Sequence, residues 1–150
     1  MYLEARRFIW QSWSGEATTD IQINAGIQQL IPGIGSLRVS GVTVQAMYWR
    51  KANAIHRWFV DECQDGTDDC RPHRVGRDQL IQLRDICQAV LDDPNRASEL
   101  LPTQGGFFFG STEYGEGYMQ DCRETVDGLT SIIDNAEFEK NWDFYYHASW

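Results

Sequence analysis

The run Tyr48-Trp49-Arg50-Lys51-Ala52-Asn53-Ala54-Ile55-His56-Arg57-Trp58-Phe59-Val60 is the densest mixture of large aromatics and cations in the chain. At about 100° per residue it reads as one amphipathic helix, expected from about Met47 to Glu62. Tyr48, Ala52, Ile55, Phe59 and Cys63 share one face and are expected in the core. Trp49, Asn53 and His56 stand on one shoulder of that seam, Lys51 and Trp58 on the other, and Arg50 and Arg57 point away. Two tryptophans, a histidine and an asparagine beside an apolar seam exceed what packing needs.

Upstream of this helix the pattern is β. Residues 2–13 are rich in β-formers, and Ile21, Ile23, Ala25 and Ile27 alternate with polar residues at period two. Pro32-Gly33-Ile34-Gly35-Ser36 reads as a turn, and strand character returns from Leu37 to Ala46, so 21–46 is expected to be a hairpin. Downstream the pattern is helical. Gly76 is placed as the N-cap of a helix with Leu80, Leu83, Cys87 and Val90 as its seam, Gln79 at its third position, and Val75 with Leu80 as a hydrophobic staple. Asp93-Pro94 opens a short helical turn anchored by Leu100 and Leu101. Ser111 or Thr112 is the expected cap of a third long helix, with Tyr118, Cys122, Val126, Leu129 and Ile133 as its seam. From Asp143, Phe144, Tyr146, Ala148 and Trp150 alternate as a terminal strand. The expectation is one α+β domain over 1–150: a small, mostly antiparallel sheet of N-terminal strand, hairpin and C-terminal strand, packed against three to four helices.

With 150 residues, 42% apolar and six Trp, the chain is long enough to bury a core. No apolar run approaches the roughly 20 residues of a membrane span, so a soluble cytosolic protein without membrane contact is expected. A net charge of −9 argues against non-specific nucleic-acid binding, which needs a basic face. It leaves room for an acidic surface that imitates nucleic acid, or simply for solubility.

Most motif chemistry is excluded. Gly105-Gly106-Phe107-Phe108-Phe109-Gly110 has neither the Walker ending nor the Rossmann spacing. Asp61 to Asp69 fails as a calcium loop at Cys63 and Pro72. Cys63, Cys70 and His73 have no zinc-knuckle spacing, so no metal or cofactor is assigned. His56 beside Glu113 or Asp121 is the one acid–base arrangement to weigh, as a hydrolase, against His56 as a buried hydrogen-bonding residue.

What remains is a set of flat surfaces, cations and fixed polar groups. Trp49, Arg50, Asn53, His56, Gln104, Phe108, Ser111, Thr112 and Tyr114 are expected to form a pocket for a small, anionic, nucleotide-like ligand, bound without turnover. The plain alternative is that the aromatics are core and the cations solvated. The pocket is expected between the opening helix and the Phe-Phe-Phe-Gly-Ser-Thr turn at 107–112, or completed across a homo-oligomer interface.

The run Tyr-Trp-Arg-Lys-Ala-Asn-x-Ile-His-x-Trp-Phe-Val at 48–60 and Leu-Leu-Pro-Thr-Gln-x-Gly-Phe-Phe-Phe-Gly-Ser-Thr-Glu-Tyr at 100–114 resemble a family of small uncharacterised bacteriophage proteins. The early Met-Tyr-Leu and the terminal Tyr-Tyr-x-x-Ser-Trp fit it too. The chain departs from that pattern between Ser12 and Gln45, and has Gly76 where a Ser cap is familiar. The resemblance implies no activity. It implies an accessory protein in the cytoplasm of an infected bacterium, of host-interaction or counter-defence type. By that lifestyle it would sequester a nucleotide signal or, alternatively, inhibit a host protein.

Overall fold

The computed structural model describes residues 1–9, 18–31, 33, 38–106 and 110–149. Its elements in chain order are β1 (Tyr2–Phe8), α1 (Thr18–Leu30), β2 (Gly41–Tyr48), α2 (Asn53–Cys63), β3 (His73–Val75), α3 (Arg77–Asp92), a 3₁₀ turn (Pro94–Arg96), α4 (Ala97–Leu100), α5 (Glu116–Ile133), α6 (Ala136–Asn141) and β4 (Asp143–His147). The four strands form one antiparallel sheet in the order β2-β1-β4-β3. The fold is α+β, as the sequence pattern predicts.

Strand periodicity turns Leu3 and Ala5 of β1 and Phe144 and Tyr146 of β4 to the same face, where they are buried with Ala148. Against them pack Ile55 and Phe59 of α2, Leu80, Leu83, Cys87 and Val90 of α3, and Cys122 and Leu129 of α5. The Phe59 and Tyr146 rings stack at 3.9 Å between centroids and 8° between planes. The α3 seam is buried as expected; the Gly76 N–H donates to Gln79 Oε1 at 2.8 Å, and Val75 and Leu80 are both buried. Asp93 Oδ1 accepts from the Asn95 N–H, which starts the short turn. The terminal strand forms from Asp143 as expected and ends at His147.

Three sequence expectations are corrected. Residues 21–27 are helical, so the 21–46 hairpin does not form, and β2 pairs with β1 instead. The isoleucine alternation fits a strand, but Asp20, Ile23, Asn24 and Ile27 also fall on one helical face. That face is the one used: Asp20 is buried against Arg7, Asn24 Oδ1 accepts from the Val39 N–H, and Ile21 is exposed. Of the expected Pro32–Ser36 turn only Gly33 is described, and positions 10–13 of the expected first strand, with Trp150, lie outside the described residues.

The opening helix starts at Asn53, not Met47. Trp49 N–H bonds to Met1 O at 3.0 Å and the Met1 amino group returns a bond to Trp49 O at 3.1 Å, so strand pairing extends through Trp49. Lys51 then takes φ of 61°, which no helix continues through. Tyr48 is therefore 49% exposed beside Tyr2, whereas Ala52, Ile55 and Phe59 are core.

The third long helix starts at Glu116 with Gly115 as N-cap, later than Ser111 or Thr112. Ser111 Oγ accepts instead from the Glu113 N–H, a local turn that ends before the helix. The short helix α6 was not expected; Asn135 Oδ1 caps it by accepting from Glu137 N–H.

Candidate functional site

Two backbone segments remote in sequence are held together by one amide. Asn53 Nδ2 donates to Ser111 O at 2.6 Å, and Asn53 Oδ1 accepts from Gln104 N–H at 3.1 Å. Thr103 Oγ1 donates to Thr112 O, and the Thr103 N–H reaches the Tyr114 hydroxyl. Gly110, at φ 79°, lies so close to Lys51 that a Cβ there would sit 3.2 Å from Lys51 O. The opening helix and the Gly110-Ser111-Thr112 segment thus meet.

Between them lies a cleft of about 500 Å³. Its walls are Arg50 and Lys51, the first turn of α2 from Ala52 to Ile55, and the first turn of α5 from Gly115 to Tyr118; Leu101 and Cys122 give it an apolar floor. Among the described residues neither helix N-terminus is capped by a side chain. The first amides of each helix have no intrahelical acceptor, and the two partial positive ends therefore face one space.

The charges in this space partly cancel. Arg50 and Lys51 make no ion pair among the described residues. Of the acids, Glu116 is engaged by Arg123. Burial, then the charge of Glu124, raises the Asp121 carboxyl to about 6, so it is partly protonated near neutrality. Glu113 is left as the acid facing two cations.

The sequence-predicted residues divide. Arg50, Asn53 and Ser111 line the cleft, and Gln104 and Thr112 brace its wall through the backbone. Tyr114 is part-exposed, its hydroxyl on Thr103 and its ring edge-on to Tyr118 at 5.0 Å. Trp49 is core: it is 3% exposed and its Nε1–H donates to Thr125 Oγ1 at 2.8 Å, so its ring offers no surface to a ligand. His56 is fully buried, with Nδ1 2.7 Å from the Tyr146 hydroxyl and Nε2 3.1 Å from Asp68 Oδ2. Burial lowers its pKa more than Asp68 raises it. His56 therefore ties α2 to β4 and the acidic loop, and it stands outside the cleft that Glu113 lines. Phe108 lies outside the described residues.

Comparison with protein-family models, curated proteins and solved structures finds no match.

Glu116, Asp121 and the α5 amides belong to the cleft and were not in the predicted set. The signal for them is Gly115-Glu116-Gly117, two glycines straddling a helix start, where bare backbone faces open space. Among the described residues Cys63, Cys70 and His73 form no metal-ligating group. His73 Nε2 is 2.8 Å from Asp69, and burial pushes the Cys63 thiol up to about 12. No helix among the described residues is long and apolar enough to cross a membrane.

Proposed function

We propose that this cleft binds a small, anionic, nucleotide-like ligand and holds it without turnover. The observation that carries the reading is the convergence of two helix N-termini on one space rimmed by Arg50 and Lys51. Amides at helix ends and a guanidinium fork are the donors that phosphate groups use. The floor of Leu101, Ile55, Tyr118 and Cys122 suits the less polar part of such a ligand. In the reading's wider form the chain is a bacteriophage accessory protein that sequesters a nucleotide signal of its host.

Isothermal titration with pyrophosphate and a panel of linear and cyclic nucleotides tests it. Binding heat is expected for at least one phosphate compound, and loss of that heat in the double variant Arg50→Ala, Lys51→Ala. Both side chains are exposed, so the variant should melt with the wild type. Absence of heat across the panel would end the proposal.

A further inference from the structure

Apart from the cleft, the least ordinary surface is the sheet edge at β2, with α1 tied to Val39 just ahead of it by Asn24. Of seven large hydrophobic side chains exposed among the described residues, Val44 and Tyr48 lie on β2, Phe8 on β1 opposite Gly41, and Ile21, Leu30 and Ile31 on or just after α1. Among the described residues no strand pairs with the outer side of β2. The opposite edge, β3, is three residues long and guarded by Arg74, the blunting expected of a solvent-facing edge. β2 has eight residues and no charged side chain, Pro or Lys.

Charge indicates what covers it. The chain carries 22 acids, yet Thr18 to Tyr48 contains one acid, Asp20, and one base, Arg38. Asp20 is neutralised inside the fold by Arg7. On a chain of net charge −9, most surfaces repel a second copy; this one does not. A basic partner would find little to attract it, whereas an identical uncharged edge is complementary to itself.

The ladder geometry fits. The Ile9 N–H bonds to Ser40 O, and alternation along β2 then turns the backbone groups of Val42 and Val44 toward β1. Those of Thr43 and Gln45 face outward. We infer that the protein forms a two-fold dimer through β2, the strand pairing antiparallel with itself about Val44. Thr43 of each copy then bonds to Gln45 of the other, Val44 faces Val44, and two four-stranded sheets become one of eight. The register shift at Ala46 limits the regular ladder to Thr43–Gln45 of each copy, about 10 Å at ~3.4 Å per residue. The inference is independent of the ligand in the cleft.

Sedimentation equilibrium over a wide protein concentration range tests it, with two variants. Thr43→Pro removes an outward N–H that β1 does not use, and Val44→Lys places like charges against each other at the seam. The wild type should sediment at twice the 17.3 kDa chain mass, more completely as salt rises. Both variants should sediment as monomers with unchanged far-ultraviolet circular dichroism. If either variant unfolds, Gln45→Lys replaces it. A wild type monomeric throughout, or a dimer that survives the folded variants, would overturn the inference.

Discussion

Asn53 Nδ2 lies 2.6 Å from the Ser111 carbonyl oxygen, joining the first turn of α2 to a loop 58 residues away. The same side chain accepts from the Gln104 N–H, so one buried amide holds residues 104 and 111 of that segment against α2. No other side chain type supplies a donor and an acceptor in that flat geometry except Gln, which is one methylene longer.

Asn53→Ala removes the partner of the Ser111 carbonyl and of the Gln104 amide, two part-buried hydrogen bonds. The expected loss is about 2 kcal/mol of stability, read from denaturant unfolding. Asn53→Asp should be no better, since it loses the donor to Ser111 and buries a charge. An Ala variant as stable as the wild type would mean that the clamp contributes nothing.

That pairing was legible in part. Asn53, Gln104 and Ser111 stand out in the sequence as polar groups beside aromatic runs, and the fold brings them together. The aromatics beside them were less informative. Trp49 and Asn53 stand four residues apart and would share a shoulder of a continuous helix, but strand pairing to Met1 ends the helix before Trp49 is reached. Long-range backbone pairing leaves no local mark in a sequence, so the tryptophan's direction could not be read. The strand reading of 21–27 failed for a different reason. Ile23 and Ile27 satisfy both periods, and the deciding contact, Asp20 to Arg7, is tertiary.

That contact is itself testable. Arg7 and Asp20 are both buried, with Arg7 Nε and Nη2 donating to Asp20 Oδ1 at 2.9 and 2.7 Å. Asp20→Ala strands a buried guanidinium and should cost about 3–5 kcal/mol. Hydrogen exchange should show α1 losing protection first, because this pair anchors it to β1. Equal loss across the sheet would contradict that anchoring role.

Asp121 should act in the opposite sense. Its folded pKa of about 6 exceeds the ordinary carboxyl value of 3.8, so the fold favours the protonated form. Stability from this group is full below pH 3.8 and is lost as pH rises through about 6. Asp121→Asn should therefore raise the melting temperature at pH 7.5 and leave it unchanged at pH 3.5. With the carboxyl in partial contact with water, the gain should be about 1 kcal/mol. Anion binding in the cleft should also strengthen as pH falls through 6 in the wild type, and lose that dependence in the variant.

His56 gives the contrasting signature. Burial lowers its pKa beneath the ordinary 6.5, so the unfolded chain takes up a proton more readily than the native one. Stability from this group is present above pH 6.5 and falls as pH drops below it. His56→Asn should flatten that decline, at a cost of about 2 kcal/mol at pH 7.5 from lost packing and the unpaired Tyr146 hydroxyl. A variant whose thermal stability keeps the wild-type pH profile below 6.5 would remove His56 as its source.

The most direct test of the cleft is an amide-resolved nuclear magnetic resonance titration with pyrophosphate. The account predicts saturable shifts at the amides of Ala54, Ile55, Glu116 and Gly117, the first turns of both helices, with the sheet amides unmoved. Shifts confined to other surfaces, or none at saturating ligand, would contradict it.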